Sequence, residues 1–397
     1  MQRKVLYVEG NVDGTVGGSY YLMVDLVNAL DPEKYRPVVG FHTDNFLIPQ
    51  LRDAGIETHI FDNPKPFSFG VKFLDTTLAL IKKPINFFKK FYLPARRYAR
   101  FLRENKIDLV NVNNSIVCNH TWMLAAKMQG IPCLTHEMGI NPRFSRTSQY
   151  FGKRLDAIIC LSNVIKDNMT KLGLTYPNIH VIHCGVDLKR YVIKEQADEL
   201  RKKYDIESDA PIIGVVGNVK WWKGQETIVR ATVELVKKYP NIRCMLVGDA
   251  PPADQTYKEL LEKIISDAGI ERNVIFTGFQ TNPIDYMNLM DVVVHTSVLP
   301  EPFGIVTLEA MSLSKPLVST TIGGPTEVVE SGKSGILVDP GEPGLLSEAL
   351  DKLLSDPEYA ATIGKNGFER LQSNFTLDEN VKRTMEVYDN IFATQTS

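Results

Sequence analysis

Two carboxylates, Glu301 and Glu309, are separated by seven residues in the run EPFGIVTLEA. A pair of acids can divide the work of general acid and general base, as in glycoside hydrolysis. Here the two stand in different settings. Pro302 suits the entry of a helix, which leaves Glu301 on the preceding loop and puts Glu309 one to two turns in. Phe303, Gly304, Ile305 and Val306 would then present backbone N–H groups at the helix start, aimed at negative charge. A second cluster, GNVKWWKG, follows the apolar run PIIGVV. Its Lys223, beside Gly224, is a flexible ammonium next to a turn glycine and suits a diphosphate, with Lys220 as a second candidate; a solvated loop lysine is the plain alternative. Gly17-Gly18 follows the first apolar run and precedes a helix. Adjacent glycines let backbone N–H groups come close to a phosphate, although a tight turn accounts for them equally well.

Several other chemistries are excluded. Gly332-Lys333-Ser334 resembles the end of a P-loop, but the position five before Gly332 is Glu327 where that motif needs glycine. No G-x-G-x-x-G is present, which argues against a dinucleotide dehydrogenase, and no D-x-D is present to hold a metal-bound sugar nucleotide. The five cysteines are odd in number and widely spaced, and the reading for them is buried, reduced thiols in a cytoplasmic protein. A net charge of −2 gives no sign of a nucleic-acid partner. No run approaches the length needed to span a bilayer and no signal peptide is expected, so any membrane contact would be peripheral.

The elements that must carry these residues alternate along the whole chain. Apolar runs such as KVLYVE, RPVVGF, IDLVNV, DAIICL, PIIGVVG, IRCMLVG, DVVVHTS and PLVST are separated by helix-length amphipathic segments; Leu22, Leu26, Val27 and Leu30 show helical spacing. Runs that are apolar throughout fit strands covered on both faces, as in parallel sheets of βαβ units. The rhythm pauses between about Asp187 and Ala210, which is polar and helical, and this is where a domain junction is expected. With 397 residues the chain suits two cores better than one.

One stretch departs from this pattern. Residues 63–106 hold eleven basic residues against Asp75 and Glu104, interleaved with Phe67, Phe69, Phe73, Phe87, Phe88, Phe91, Tyr92 and Phe101. A cationic, aromatic, amphipathic stretch fits an anionic membrane surface or a lipid-linked acceptor. The alternative is a surface helix pair with its aromatics in the core and its cations in water.

In their order along the chain, GGSYYLMVDLVNAL, CLSNVIKDNM, HCGVD, VVGNVKWWKG, CMLVGD, VIFTGF, EPFGIVTLEAMSLSKPLVST and GGPTEVVESGKSGILVDPG resemble the retaining nucleotide-sugar glycosyltransferases of family 4 over nearly the whole sequence. The resemblance implies an α/β GT-B fold, two Rossmann-like parallel-sheet domains facing across a cleft. It divides the chain into an acceptor-binding domain over 1–190, a nucleotide-sugar-binding domain over 191–375, and a C-terminal helix over 376–397 that packs back towards the first. It implies that Glu301 faces the donor sugar, Phe303 to Val306 meet sugar and phosphate through their backbone, and Glu309 holds the ribose hydroxyls. Lys223 takes the diphosphate's charge, Gly17-Gly18 forms the loop closing over it, Phe279 contacts the base, and His136 lies near the donor sugar. Asn218 counts with the donor-binding set but stands where the family usually has arginine, so one phosphate cation is missing unless Lys220 replaces it. Asn111-Val112-Asn113 stands where many members have His-x-His, and His120 is a poor substitute by position.

The activity so implied is transfer of a sugar, with retention, from a nucleotide sugar (UDP before GDP) to a lipid-linked or polysaccharide acceptor of the cell envelope. No metal or other cofactor is expected. The location expected is cytoplasmic, with peripheral contact at the membrane's cytoplasmic face. The rival readings are a GT-B epimerase and a non-catalytic nucleotide-sugar-binding subunit.

Overall fold

The apolar runs form two separate parallel sheets. The computed structural model describes residues 2–11, 17–62 and 85–396. The first sheet has seven strands in the order β3-β2-β1-β4-β5-β6-β7: β1 (Arg3–Val8), β2 (Tyr35–Phe41), β3 (Glu57–Ile60), β4 (Leu109–Val112), β5 (Cys133–Glu137), β6 (Ala157–Cys160) and β7 (Ile179–Val181). The second has six in the order β10-β9-β8-β11-β12-β13: β8 (Ile212–Val216), β9 (Arg243–Val247), β10 (Val274–Gly278), β11 (Val292–Val294), β12 (Leu317–Thr320) and β13 (Ile336–Val338). In each, the first strand of the unit sits inside the sheet and the order reverses beside it: β1 pairs with both β2 and β4, and β8 with both β9 and β11. That reversal opens a crevice at the carboxyl ends of the strands, where open α/β sheets take ligands.

Every residue of β4, β8, β9 and β12 is buried, which explains why these runs do not alternate. Each fully buried valine, isoleucine or leucine contributes about 1.5–3 kcal/mol relative to exposure, and each sheet has its own core.

Two compact units result, Met1–Gly185 with Leu377–Ser397, and Val186–Thr376. The sequence places the first junction after residue 190, five residues later. The reason for the difference is a bridge the sequence does not advertise: Val186 pairs with Thr376 in parallel, and its N–H donates to the Phe375 carbonyl at 3.0 Å. The chain enters and leaves the second unit side by side, so Arg190 belongs to that unit. The Leu377–Thr396 helix completes the first core with Val381, Val387, Tyr388, Ile391 and Phe392. Asn380 and Arg383 donate to the carbonyls of His183 and Val181 at 2.7 and 2.9 Å.

Of the basic aromatic stretch, residues 63–84, with Phe67, Phe69 and Phe73, lie outside the described residues. From Ile85 to Glu104 the backbone is continuously helical, widening into a π-turn at Phe88–Tyr92 before the Leu93–Glu104 helix. Pro94, Ala95, Tyr98, Ala99 and Leu102 face inward, and Tyr98 stacks on Trp122 at 4.0 Å. Phe101 also packs against the core, on Phe61 at 5.0 Å, whereas Phe87 and Phe88 stay half exposed. All five cysteines are unpaired, four buried and Cys118 half-buried. Among the described residues no helix is long and apolar enough to cross a membrane.

Candidate active site

Three neighbouring strands of the second sheet deliver the site. After β8 the chain turns through Gly217 and Asn218 into a short 3-10 turn, Trp221–Lys223, and then into the Gln225–Leu235 helix. The turn needs its glycine: Gly224 has φ +70°, and a Cβ there would lie 2.1 Å from the Thr296 carbonyl oxygen. That close approach locks the Lys223 loop onto the segment after β11. The Thr296 hydroxyl donates to the Lys223 carbonyl at 2.8 Å, and the Val298 N–H donates to the Trp222 carbonyl at 2.8 Å. After β12, Gly323 and Gly324 do the same for the Glu301 loop. A Cβ on Gly323 would meet the Glu301 nitrogen at 2.6 Å, one on Gly324 would meet Phe303 Cα at 2.3 Å, and the Gly324 N–H donates to the Glu301 carbonyl at 2.8 Å.

Glu301 is 8% exposed and unevenly bonded. Its Oε1 accepts from Lys223 Nζ at 2.7 Å, from His295 Nε2 at 2.8 Å and from the Ser297 hydroxyl. Its Oε2 accepts from no described residue. Burial by itself would raise this carboxyl's pKa, but His295 and then Lys223 outweigh burial and hold it well below the usual carboxylate range. The ionised form is favoured, with one oxygen anchored and the other left without a partner among the described residues.

The Ile305–Ser312 helix starts one residue after Gly304, whose φ of +80° closes the turn; a Cβ there would strike the Pro325 ring at 2.7 Å. The sequence suggests Pro302 as the helix entry, and the structure makes Gly304 the cap. Gly304, Ile305 and Val306 present N–H groups with no acceptor among the described residues. The Phe303 side chain points into the core, 2% exposed, against Phe375 at 6.0 Å, which leaves its backbone as the part a ligand could meet. Glu309 lies one turn in, half-buried, and its carboxylate makes no hydrogen bond to a described residue. Burial pushes its pKa up to about 7 against the pull of Arg190 and Lys223. A carboxyl so placed accepts or donates to hydroxyls with little competition.

The remaining candidates are spread more widely. Asn218 is exposed, and its carbonyl accepts from Gln225 Nε2 at 3.0 Å. Lys220 caps the 3-10 turn and is in no ion pair with a described carboxylate. Phe279 follows Gly278 at the end of β10 and is 73% exposed. Gly17 caps the Gly18–Ala29 helix of the first unit in an extended conformation, and a Cβ on it would meet nothing within 4 Å. His136, also in the first unit, is buried on β5, with Nδ1 3.1 Å from Asn111 Oδ1, and burial lowers its pKa to about 4. Asn111 in turn donates to the Tyr388 hydroxyl at 2.8 Å, which lies 2.9 Å from the Tyr7 hydroxyl, so this imidazole ends a polar chain through the first unit. His120 rests on the Phe151 ring with Nε2 3.2 Å from the Ser148 hydroxyl.

The sequence reading passes over His295, Ser297, Ser319 and Arg190. Ser319 Oγ stands 3.0 Å from His295 Nδ1, so a serine–imidazole–carboxylate line runs beneath Glu301 from buried groups. The signal was present: in DVVVHTS an apolar strand turns abruptly polar at its carboxyl end, where parallel sheets bind ligands.

Two doubly wound parallel sheets, one ending in a lysine-anchored carboxylate and an open helix N-terminus, define a GT-B type of sugar-transfer fold. Residues 46–190 match Glycosyltransferase Family 4 and residues 196–370 match Glycosyl transferases group 1. The chain belongs to glycosyltransferase family 4 and is an enzyme of glycosyl transfer. It is similar to the lipopolysaccharide core biosynthesis mannosyltransferase LpsB of Rhizobium meliloti, 25% identical over 63% of this chain and 70% of that protein. It is also similar to the N-acetyl-alpha-D-glucosaminyl L-malate synthase of Bacillus anthracis, 23% identical over 85% and 90%. The crystal structure of Anabaena HepE in complex with UDP superposes with a TM-score of 0.81 at 25% identity, over 98% of this chain and 100% of that one.

Proposed function

We propose that this enzyme transfers a hexosyl group from a UDP-sugar, with retention of anomeric configuration, to a lipid-linked or polysaccharide acceptor in cell-envelope glycan synthesis. The observation that carries the reading is the divided Glu301 carboxylate: three donors fix Oε1, and Oε2 is left for a sugar hydroxyl. In sugar transfer, charge develops on the departing diphosphate. The N–H groups of Gly304, Ile305 and Val306 and the Lys223 ammonium are the groups that would meet it, and Glu309 would hold the ribose. Preorganised donors of this kind supply much of the acceleration in such reactions. Attack from the face the leaving phosphate vacates lets that phosphate take the acceptor's proton, so no protein base is needed. We also assign the charge to protein groups rather than to a metal ion, in keeping with the lack of D-x-D.

From the first unit we assign the Gly17-Gly18 backbone to the phosphate and His136 to the sugar. Gly17 is supported by its conformation and surroundings, neither of which calls for glycine in the free protein. Phe279 would stack on the base. UDP is favoured because HepE was crystallised with UDP, and also with UDP and glucose. An envelope acceptor is favoured because LpsB acts in lipopolysaccharide core biosynthesis. With such an acceptor, the enzyme would work on the cytoplasmic membrane face through the basic aromatic stretch.

The test is a panel of UDP- and GDP-sugars incubated with the full chain, with and without lipid and glycan extracts. Free UDP should be released from one donor, slowly without acceptor and faster with it, in buffer containing a chelator. The product's anomeric proton should show the donor's configuration. Inverted product, or nucleotide binding without release from any donor, would sink the proposal.

A further inference from the structure

The helix that carries the basic aromatic residues borders two adjoining depressions on the first unit. One is an open cavity of about 710 Å³ lined mainly by Phe87, Phe88, Phe91, Tyr92, Met128 and Phe151, with Tyr150 and Arg146 at its edge. Its size lies within the roughly 300–1,000 Å³ of small-molecule sites, yet its walls are almost wholly hydrocarbon. Phe87 and Phe88 are 52% and 54% exposed, and Leu93, between the two depressions, is 48% exposed. Rings at and beside the widened π-turn touch one another, Phe87 to Phe91 at 5.4 Å and Phe88 to Tyr92 at 5.6 Å, and Phe91 also meets the Phe151 ring at 6.1 Å. Interruptions of this kind in helices recur at functional sites.

The second depression shares Met128 with the first and is lined by Arg96, Arg97, Arg100 and Arg103. With Arg146, five guanidiniums border the pair of depressions and no carboxylate lines either. None of the five is paired with a described acidic residue, although the protein as a whole carries a net charge of −2. Lys127 and Arg154 stand on either side of Tyr150, the ammonium 2.9 Å from its hydroxyl and the guanidinium 3.9 Å from the ring centre, which adds cations at the cavity's rim. Unpaired arginines attract phosphate, for which the guanidinium fork is shaped. Exposed aromatics attract hydrocarbon. An anionic phospholipid has both.

We infer that the groove between Phe87, Phe91, Met128 and Phe151 receives an acyl chain of an anionic phospholipid bilayer while Arg96, Arg100 and Arg103 hold its headgroup phosphates. This deepens the membrane part of the proposed function and rests on it only for its purpose, since the groove is lined by none of the residues proposed to hold the donor.

The experiment is sedimentation of the full chain with vesicles of phosphatidylcholine alone and of equimolar phosphatidylcholine and phosphatidylglycerol. Strong binding to the anionic vesicles alone is expected. Arg96→Gln/Arg100→Gln/Arg103→Gln should weaken it on the order of a hundredfold, since each surface cation contributes about a fivefold preference. Phe87→Ser/Phe88→Ser should weaken it at least tenfold and make the remaining binding fully reversible by salt. Both variants alter exposed side chains and should release UDP from the donor in lipid-free buffer at the wild-type rate. Equal binding to both vesicle types would overturn the inference. So would an aromatic variant that sediments like wild type and is displaced by inorganic phosphate, which would mean a phosphate site alone. Pelleting without vesicles would indicate a second copy in the groove and would overturn it too. If no donor is turned over while vesicles still bind, the transferase reading falls and the lipid site remains.

Discussion

Both sheets bury carboxylates at their carboxyl ends, and the two sheets use them differently. In the first unit, Glu9 and Glu137 have every oxygen occupied by neutral donors. Glu9 accepts from the N–H groups of Gly10 and Asn11 at 2.9 and 3.2 Å and from the Asn113 and Asn114 amides at 2.6 and 3.3 Å. Glu137 accepts from the Ser115 and Thr135 hydroxyls at 2.9 and 3.3 Å, from Asn141 at 3.4 Å and from the Ile116 N–H. Burial raises both pKa values, that of Glu137 to about 7. Together they fasten consecutive residues 113–116 after β4. In the second unit, Glu301 is bonded to described residues through one oxygen only, partly by an ammonium, and its pKa moves the other way. A carboxylate saturated by amides and hydroxyls fixes a loop; one anchored at a single oxygen beside a cation is left with binding capacity.

The contrast is broken or sharpened first at Lys223. Lys223→Ala should lower donor turnover at least a hundredfold, because losing one donor that meets developing charge costs on the order of 3 kcal/mol. Steady-state UDP release measures it, and unchanged turnover would remove the charge-support argument for the second unit. Folding should suffer less, since His295 and Ser297 still hold Glu301.

At Glu137 the expected pattern is reversed. Glu137→Ala strands the buried Ser115 hydroxyl and Ile116 N–H, a cost of roughly 2–3 kcal/mol. Faster amide exchange across 113–118 should report it, with turnover per folded molecule changed only a fewfold. A large specific loss of turnover with exchange unaltered would show that the first unit's carboxylates are chemical after all.

The two carboxylates should also give stability opposite pH dependences. Glu137 is raised in the fold from 4.5 to about 7, so the folded state binds the extra proton and stability falls as pH rises from about 4.5 through about 7. Glu301 is depressed, so its contribution is complete above about 4.5 and is lost as pH falls below that value. Urea midpoints should fall less steeply between about pH 4.5 and 7 in Glu137→Gln, with the part due to the likewise raised Glu309 remaining, and should fall less steeply below about pH 4.5 in Glu301→Gln. The same slopes in the variants as in wild type would refute the assignment.

The same division decides what could be seen from the sequence. Parallel sheets were legible because runs such as PIIGVV are apolar at every position, which only two-sided burial explains. The Glu301–Glu309 run was legible because glycine, proline and acids crowd one sheet edge. The roles of Asn113 and Asn114 were not, because an asparagine is saturated or free according to what lies opposite it, and Glu9 is 104 residues away from Asn113 along the chain. The boundary at Gly185 escaped for a similar reason, since it depends on the pairing of Val186 with Thr376. His295 was missed because a histidine after an apolar strand reads as a core residue until Ser319 and Glu301 are seen at its two nitrogens.

That histidine gives the smallest effect and the finest test. Nδ1 stands 3.0 Å from the Ser319 hydroxyl and Nε2 2.8 Å from Glu301 Oε1, so His295 orients a group that would touch the sugar without touching it itself. His295→Ala should leave Glu301 on Lys223 and Ser297 and lower kcat roughly tenfold, consistent with about 1.5 kcal/mol for a hydrogen bond to a charged group, with KM for the donor less affected. His295→Gln places an amide N–H near the Nε2 position and should restore most of kcat. A merely structural role would make both variants equally stable or unstable with no such split, and failure of glutamine to rescue an otherwise folded protein would remove His295 from the positioning of Glu301.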